Sequence, residues 1–380
     1  MLRSQPEPPM EPARALKGTS IDILDVLVLL VGFVLLVVGA EWFVRGASAI
    51  AAAAGISPIV IGLTIVAHGT SAPELAVSVS GALTGASDIA VGNVVGSNAF
   101  NLLVVLGCAA LAGGLIVHRR IVRIDIPLLL LATLVTWWMA SDGLLGRVEG
   151  GLLTFSAIAY TAWLVVAARR QPIDRDAGFA ASVPDALEAR MRPIRAVLLL
   201  FIGLGVLVFG ADLLVDSAVL IAATLGVSDL VIGLTVVAVG TSLPELATSV
   251  IAVLRGQRDI AVGNAVGSSL LNLVRNLGLA ALVSSDGIRV ASDALTLDFP
   301  VAVTIGLVIL LTLALGLRLA RWEGIVLLSA YVVYLVAMVR VGTGADPSDQ
   351  LVLPLIAALG GAGVLLLGVG LLLKRRDRVA

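Results

Sequence analysis

The sequence predicts an all-α polytopic membrane protein, built from two inverted-topology five-helix repeats plus an eleventh C-terminal transmembrane helix. Three observations lead there: the composition, a series of eleven apolar runs, and an internal duplication offset by 171 residues. Of 380 residues, 59% are hydrophobic and 13% charged, and the mean hydropathy is +1.08. Ordinary soluble domains carry about 25% charged residues, so this chain cannot clothe one core in a water-facing surface. A soluble enzyme is excluded. At about 20 apolar residues per crossing, the length accommodates roughly ten to twelve spans.

Residues 1–20 are polar and rich in Pro and Glu; they read as a short extracytoplasmic segment. The apolar run after Ile21 is too long for a cleaved signal peptide and lacks its small-residue site, so it reads as a retained first span. Apolar runs then fall at about 22–44, 58–83, 89–117, 124–140, 150–168, 194–215, 229–254, 260–283, 296–317, 322–340 and 351–373. The first repeat is expected over 21–168 and the second over 194–340. Residues 169–193 form a cytoplasmic loop between them, and a tail at 374–380 follows the extra helix.

Orientation follows from the basic residues of alternate loops, because the cytoplasmic side holds the excess. One side carries Arg45, Arg119, Arg120, Arg123, six arginines between 169 and 195, Arg255, Arg258, Arg318, Arg321, Lys374, Arg375, Arg376 and Arg378. The other carries Arg3, Arg14, Lys17, Arg147, Arg289 and Arg340. The N-terminus is therefore expected outside and the C-terminus in the cytoplasm of a multi-pass plasma membrane protein. The high Arg and Ala with little Lys suit a GC-rich bacterium, hence an inner membrane.

Sliding the chain by 171 residues aligns Gly39–Gly107 with Gly210–Gly278 without a gap, and about 40 of those 69 positions are identical. An odd number of spans separates Glu74 from its counterpart Glu245, so the copies are expected in opposite orientations. Inverted repeats are the architecture of many secondary transporters, whose substrate site lies near the midplane between the copies.

The copies are most alike at Gly69-Thr70-Ser71-Ala72-Pro73-Glu74-Leu75 and Gly240-Thr241-Ser242-Leu243-Pro244-Glu245-Leu246, each inside an apolar span. A carboxylate at that depth costs several kcal/mol unless it is paired or faces a polar cavity, and two at symmetric positions imply a shared ligand. Pro73 and Pro244 cannot donate to the fourth preceding carbonyl, so they break their helices and free the carbonyls of Gly69 and Gly240 or their neighbours. Thr70 and Glu74, like Thr241 and Glu245, are four apart and are expected on one helix face.

A second motif, Gly92-Asn93-Val94-Val95-Gly96-Ser97-Asn98-Ala99-Phe100-Asn101, matches Gly263-Asn264-Ala265-Val266-Gly267-Ser268-Ser269-Leu270-Leu271-Asn272. Ser97 and Asn101 share a face there, as do Ser268 and Asn272. Gly92, Gly96, Gly263 and Gly267 form small-residue seams expected to bring these helices close to the broken ones. Hydroxyls, amides, carboxylates and freed carbonyls make an all-oxygen site suited to hard cations such as Ca²⁺ and Na⁺. Taken singly, such polar residues in membrane helices are ordinarily interhelical glue; the paired glutamates turn the reading toward a cation site. Asp88 and Asp259 read as helix N-terminal residues, and Glu41 and Asp212 are left without a role.

Other chemistries lack their residues. Cys108 is the single cysteine, His68 and His118 are the only histidines, and neither a His-Glu-x-x-His motif nor a nucleotide-binding motif occurs. These absences speak against an intramembrane metalloprotease, against ATP as energy source and against a resident cofactor.

With these motifs in place, the chain resembles the sodium/calcium exchanger family of the calcium:cation antiporter superfamily. That family's two alpha repeats carry Gly-Thr-Ser-x-Pro-Glu followed by Gly-Asn-x-x-Gly-Ser-x-x-x-Asn or Asp, matched here at 62–107 and 233–278. The resemblance implies Ca²⁺ ligation by Glu74 and Glu245 with Asn101 nearby. It further implies Na⁺ coordination by Thr70, Ser71, Thr241, Ser242, Ser97 and Ser268 and by the carbonyls of Ala67 and Ala238. The first and sixth helices would slide across the other eight to alternate access.

Departures from the family pattern qualify the expectation. Asn272 stands where many sodium/calcium exchangers have Asp, leaving two carboxylates, which balance one Ca²⁺ or two Na⁺. A third Na⁺ would bind without a formal counter-charge. Arg275 follows three residues later and needs an acidic partner or a route to the interface: it either modulates the site as a tethered cation or is structural. His68 precedes the first Gly-Thr-Ser, where the second copy has Val239; it either couples protons or is a packed polar residue. The loop at 169–193 is too short for a Ca²⁺-sensing domain.

The leading expectation is a secondary-active antiporter exchanging Ca²⁺ for Na⁺ in the lipid bilayer, with no nucleic-acid partner. Its competitors are a Ca²⁺/H⁺ antiporter and, from another class, a transport-inactive cation-binding or sensor protein. Oligomeric state is left open; the glycine-rich eleventh helix is only suggestive of a contact.

Overall fold

The computed structural model describes residues 23–170, 191–225 and 238–342, with isolated positions between 354 and 361. The expected N-terminal segment, residues 171–190 of the central loop, the first half of the 229–254 span, most of the eleventh span and the tail lie outside these residues. Eight described helices are long and apolar enough to cross a bilayer, and one bent pair makes a further candidate crossing. The chain is a multi-pass helical membrane protein.

Helix α1 runs Ile23–Ala54. It outlasts the expected end near residue 44 because the alanine-rich stretch beyond Arg45 continues the helix after the first charge. Ser57 then turns the chain, and Pro58, tolerated at the first helical position because its missing N–H has no partner there, opens α2, Pro58–Thr70. Helix α3, Ala72–Leu83, follows at an angle of 47°. Next come α4 (Ser87–Gly113), α5 (Ile121–Met139) and α6 (Arg147–Arg170).

The second copy repeats the order with α7 (Pro193–Thr224), α8 (Leu243–Leu254), α9 (Arg258–Val283), α10 (Ala294–Gly316) and α11 (Arg321–Gly342). Corresponding glycines Gly85 and Gly256 turn α3 into α4 and α8 into α9, each with φ of +76°, a conformation that penalises any Cβ.

Helices α4 and α9 are the centre of the molecule: 83% and 78% of their apolar windows are buried, against 17–39% for the other single-helix spans. On the outside, α1 and α7 lie along each other with backbones almost touching. A Cβ on Gly39 would stand 2.3 Å from the Leu207 nitrogen, and one on Gly210 would stand 2.4 Å from the Leu36 nitrogen. Their other faces expose Leu27, Leu30, Val34, Ile194, Phe201 and Phe209. That is the surface a lipid-facing pair requires, because lipid solvates apolar side chains and helix contact then rests on close packing.

Among the described residues, four two-residue strands, absent from the sequence reading, tie the connections together: β1 (Leu115–Ile116), β2 (Leu144–Leu145), β3 (Ile288–Arg289) and β4 (Arg318–Leu319). β1 pairs antiparallel with β4, and β2 with β3. Each copy therefore contributes one strand to each end of the bundle. Such short pairings carry too few residues for the period-two pattern by which strands are read.

Candidate functional site

The expected break falls at Ser71, which leaves the helical region at φ −84°, ψ 19° and separates α2 from α3. Thr70 and Glu74 thus end one helix and begin the next, rather than sharing one continuous face. Both are fully buried, as are Ser71, Ser242 and Glu245. Ser242, at φ −96° and ψ 6°, breaks the second copy in the same way.

The two breaks reach into each other. Ser71 Oγ donates to Glu245 Oε1 at 2.8 Å, and Ser242 Oγ donates to Glu74 Oε1 at 3.0 Å. Thr70 Oγ1 donates to Asn264 Oδ1 at 3.0 Å, and Thr241 Oγ1 to Asn93 Oδ1 at 3.3 Å. Each glutamate is thus contacted by the serine of the opposite copy. Ser268 Oγ adds a third hydrogen bond to the glutamate carboxylates, 3.3 Å to Glu245 Oε1.

The asparagines that hold these contacts were missed by the sequence reading as site residues. Asn93 Nδ2 donates to the Glu74 carbonyl at 3.0 Å and to Ser78 Oγ at 2.9 Å. Asn264 Nδ2 donates to the Glu245 carbonyl at 3.3 Å and to Ser249 Oγ at 3.0 Å. A signal was available: Ser78 and Ser249 each follow a glutamate by four residues, and all four positions repeat at 171.

Several buried oxygens point to no partner among the described residues: Glu74 Oε2, Glu245 Oε2, Ser97 Oγ, Thr248 Oγ1 and Asn101 Oδ1. Buried polar atoms are nearly always satisfied, and those from the motifs named above are the groups a dehydrated cation would engage. Asn101 and Asn272 each open a π-helical stretch, Asn101–Val105 and Asn272–Leu277; such bulges gather at functional sites. Asn272, unlike Asn101, is engaged: its Nδ2 donates to Asn98 Oδ1 at 3.2 Å, and its Oδ1 accepts from Asn276 at 2.8 Å.

Arg275 turns to the first break. Its Nη2 donates to the Ser71 carbonyl at 2.8 Å, its Nη1 to the His68 carbonyl at 3.2 Å, and its Nε to Asn276 Oδ1 at 2.8 Å. The Ser71 carbonyl also accepts from the Leu75 nitrogen at 3.2 Å, so it is not a carbonyl that Pro73 leaves without its helical donor. The His68 ring lies part-buried with Nδ1 2.9 Å from the Thr64 carbonyl. The Ala67 carbonyl accepts from the Ser71 nitrogen at 3.2 Å; Ala238 begins the short turn Ala238–Gly240 ahead of the second break. Pro73 and Pro244 each stand at the start of the helix after the break.

The glycine seams behave as expected where they can be followed. A Cβ on Gly263 would meet the Ile59 carbonyl at 2.8 Å, and one on Gly267 would meet Leu63 Cα at 3.0 Å, so α9 packs directly on α2. Gly92 and Gly96 meet nothing within 4 Å among the described residues; Leu234, the counterpart of Leu63, lies outside them.

A cavity of about 550 Å³ borders the paired breaks, lined by Ala72, Pro73 and Ala76 from α3, by Asp212 and Asp216 from α7, and by Thr241 and Pro244. Asp212 is therefore a cavity residue. Its counterpart Glu41 instead pairs with Arg255, joining α1 to the end of α8.

These features define a multi-pass helical membrane protein organised around a buried, oxygen-rich centre shared by two copies of one motif. The sodium/calcium exchanger protein family matches residues 24–166 and 195–340, and the chain belongs to that family. The sodium/calcium exchanger MaX1 of Methanosarcina acetivorans is 34% identical over 348 residues, covering 83% of this chain and 98% of its own. The inner membrane protein YrbG of Escherichia coli is 34% identical over 316 residues, covering 82% and 96%. A protein of Alkalimonas amylolytica carrying the antiporter name CaxA is 39% identical over 316 residues, covering 82% and 98%. Among solved structures, the sodium-calcium exchanger NCX_Mj soaked with Na⁺ and Sr²⁺ superposes with a TM-score of 0.71 at 31% identity, covering 83% of this chain and 99% of that one.

Proposed function

We propose that this protein is a secondary-active antiporter that exchanges Ca²⁺ for Na⁺ by alternating access, with Glu74 and Glu245 at a shared midplane site. The observation that carries this reading is the reciprocal pair of serine–glutamate hydrogen bonds between the copies, each leaving one carboxylate oxygen unengaged. Two carboxylates match the charge of one Ca²⁺ or of two Na⁺, so either load neutralises them while the other is absent.

Asn101, Ser97 and Ser268 add neutral oxygens. Thr70, Ser71, Thr241 and Ser242, with the carbonyls of Ala67 and Ala238, complete the Na⁺ ligands in this reading, and Asn272 is a neighbour rather than a charged ligand. Family membership supports the substrate class, and the cavity beside the breaks supplies an aqueous approach.

The strand pairs support an inverted arrangement of 21–168 against 194–340. β1, which follows α4, meets β4, and β3, which follows the equivalent α9, meets β2. Because α5 connects β1 to β2, α4 and α9 finish at opposite ends of the bundle. On the orientation given by the arginines, N-terminus outside and C-terminus cytoplasmic in a bacterial inner membrane, the cavity with Asp212 and Asp216 faces outward. Helices α1 and α7 are the sliding pair, fastened to each other by their glycine contacts.

The test is ⁴⁵Ca²⁺ uptake into proteoliposomes under an outward Na⁺ gradient or an outward proton gradient. Uptake driven by Na⁺ supports the proposal. Uptake driven by protons alone replaces it with Ca²⁺/H⁺ exchange, and binding without flux under either gradient replaces it with a cation-binding protein.

A further inference from the structure

The second copy carries two polar residues that the first does not. Arg275 and Asn276 correspond to Val104 and Val105, so a valine pair satisfies the same helix positions elsewhere in the fold. A guanidinium inside a membrane helix is costly to desolvate, and helix packing alone therefore offers no reason for it. Its donors go to neutral oxygens rather than to a carboxylate: the His68 and Ser71 carbonyls and the Asn276 side chain. Those two carbonyls flank Gly69 and Thr70 at the break, where a bound cation would seek oxygen ligands. Asn276 extends the chain to Asn272 and Asn98, so the guanidinium is wired to the neutral amides of the second motif.

We infer that Arg275 is a resident cation on the first break that takes the place of one transported Na⁺, so that two Na⁺ exchange for each Ca²⁺. This rests on the exchanger reading above. Two carboxylates and one guanidinium sum to a formal charge of −1. One Ca²⁺ or two Na⁺ each bring the site to +1, whereas three Na⁺ would bring it to +2, with no third carboxylate among the described residues of the buried hydrogen-bonded cluster. Both loaded states then carry the same charge, and the cycle moves none across the membrane. Arg275 is a specificity-determining residue here, acting by occupying oxygens rather than by touching Ca²⁺.

The experiment uses the full chain in proteoliposomes, with ²²Na⁺ and ⁴⁵Ca²⁺ fluxes measured in parallel and a K⁺ diffusion potential of either sign imposed. The expected flux ratio is two Na⁺ per Ca²⁺, with uptake unchanged by the potential. In Arg275→Val, which reproduces the first copy, the ratio rises to three, the Na⁺ dependence steepens and uptake becomes sensitive to the potential. A wild-type ratio of three with potential-driven uptake overturns the inference and leaves the exchanger reading intact. Absence of any Na⁺-dependent Ca²⁺ flux in folded wild-type protein overturns the exchanger reading, and the inference falls with it. Should Arg275→Val fail to fold, the wild-type ratio and potential response still decide.

Discussion

Ser71 and Glu245 stand 174 residues apart, yet Ser71 Oγ donates to Glu245 Oε1 at 2.8 Å. Its mirror contact, Ser242 to Glu74 at 3.0 Å, makes the arrangement reciprocal. Hydrogen bonds to charged groups contribute about 1.5–3 kcal/mol. Ser71→Ala and Ser242→Ala are each expected to weaken the apparent Na⁺ affinity by about tenfold or more without loss of folded protein. Na⁺ titration of Ca²⁺ flux, read beside gel-filtration profiles, checks this. Unchanged Na⁺ dependence in both variants would remove the serines from the site.

The asparagines behind the site provide a separate test. Asn264 accepts from Thr70 and donates to Ser249 and the Glu245 backbone, fixing the second break against the first. Loss of such an orienting partner costs about 10–100-fold in metal affinity. Asn264→Ala and Asn93→Ala should each weaken apparent Ca²⁺ affinity by about that range, measured from the Ca²⁺ concentration giving half-maximal uptake. Wild-type affinity in both would mean that these residues serve helix packing only.

Much of this centre is legible in the sequence, because duplication displays each motif twice. The glutamates, the proline breaks and the seam of Gly263 and Gly267 against α2 follow from residue type and spacing. Other features do not. Arg275 could face either the site or a neighbouring helix, and only the three-dimensional path of α9 aims it at the His68 and Ser71 carbonyls. The break separating Thr70 from Glu74 likewise defeats the four-residue spacing argument, which presumes an unbroken helix. The engagement of Asn272 with Asn98 and Asn276 is a contact between side chains that periodicity does not encode.

Helices α1 and α7 should tolerate no side chain at their crossing. In Gly39→Val the new Cβ meets the Leu207 backbone, which cannot rotate away, and overpacking of this kind costs about 1–3 kcal/mol. A lower Tm in detergent and reduced flux are expected. Gly205→Ala, which meets nothing within 4 Å among the described residues, is the control and should leave both near wild type. Equal Tm values for the two variants would contradict the close contact.

The cavity makes a prediction about access. Asp212 and Asp216 lie one helical turn apart on α7 and are exposed into it, as is Ala76. In a Cys108→Ala background, Asp216→Cys and Ala76→Cys should react with a membrane-impermeant thiol reagent added from one and the same side. Labelling of the two from opposite sides would contradict a single vestibule.

The central claim is that Glu74 and Glu245 act together as one cation site, and the most direct measurement is Na⁺-driven ⁴⁵Ca²⁺ uptake in Glu74→Gln and Glu245→Gln beside wild type. Both variants keep side-chain size and a hydrogen-bonding oxygen for the partner serine, so folding should survive while half the site's negative charge is lost. The account predicts that each single variant loses Ca²⁺ uptake. Wild-type uptake in either folded variant would contradict a shared site.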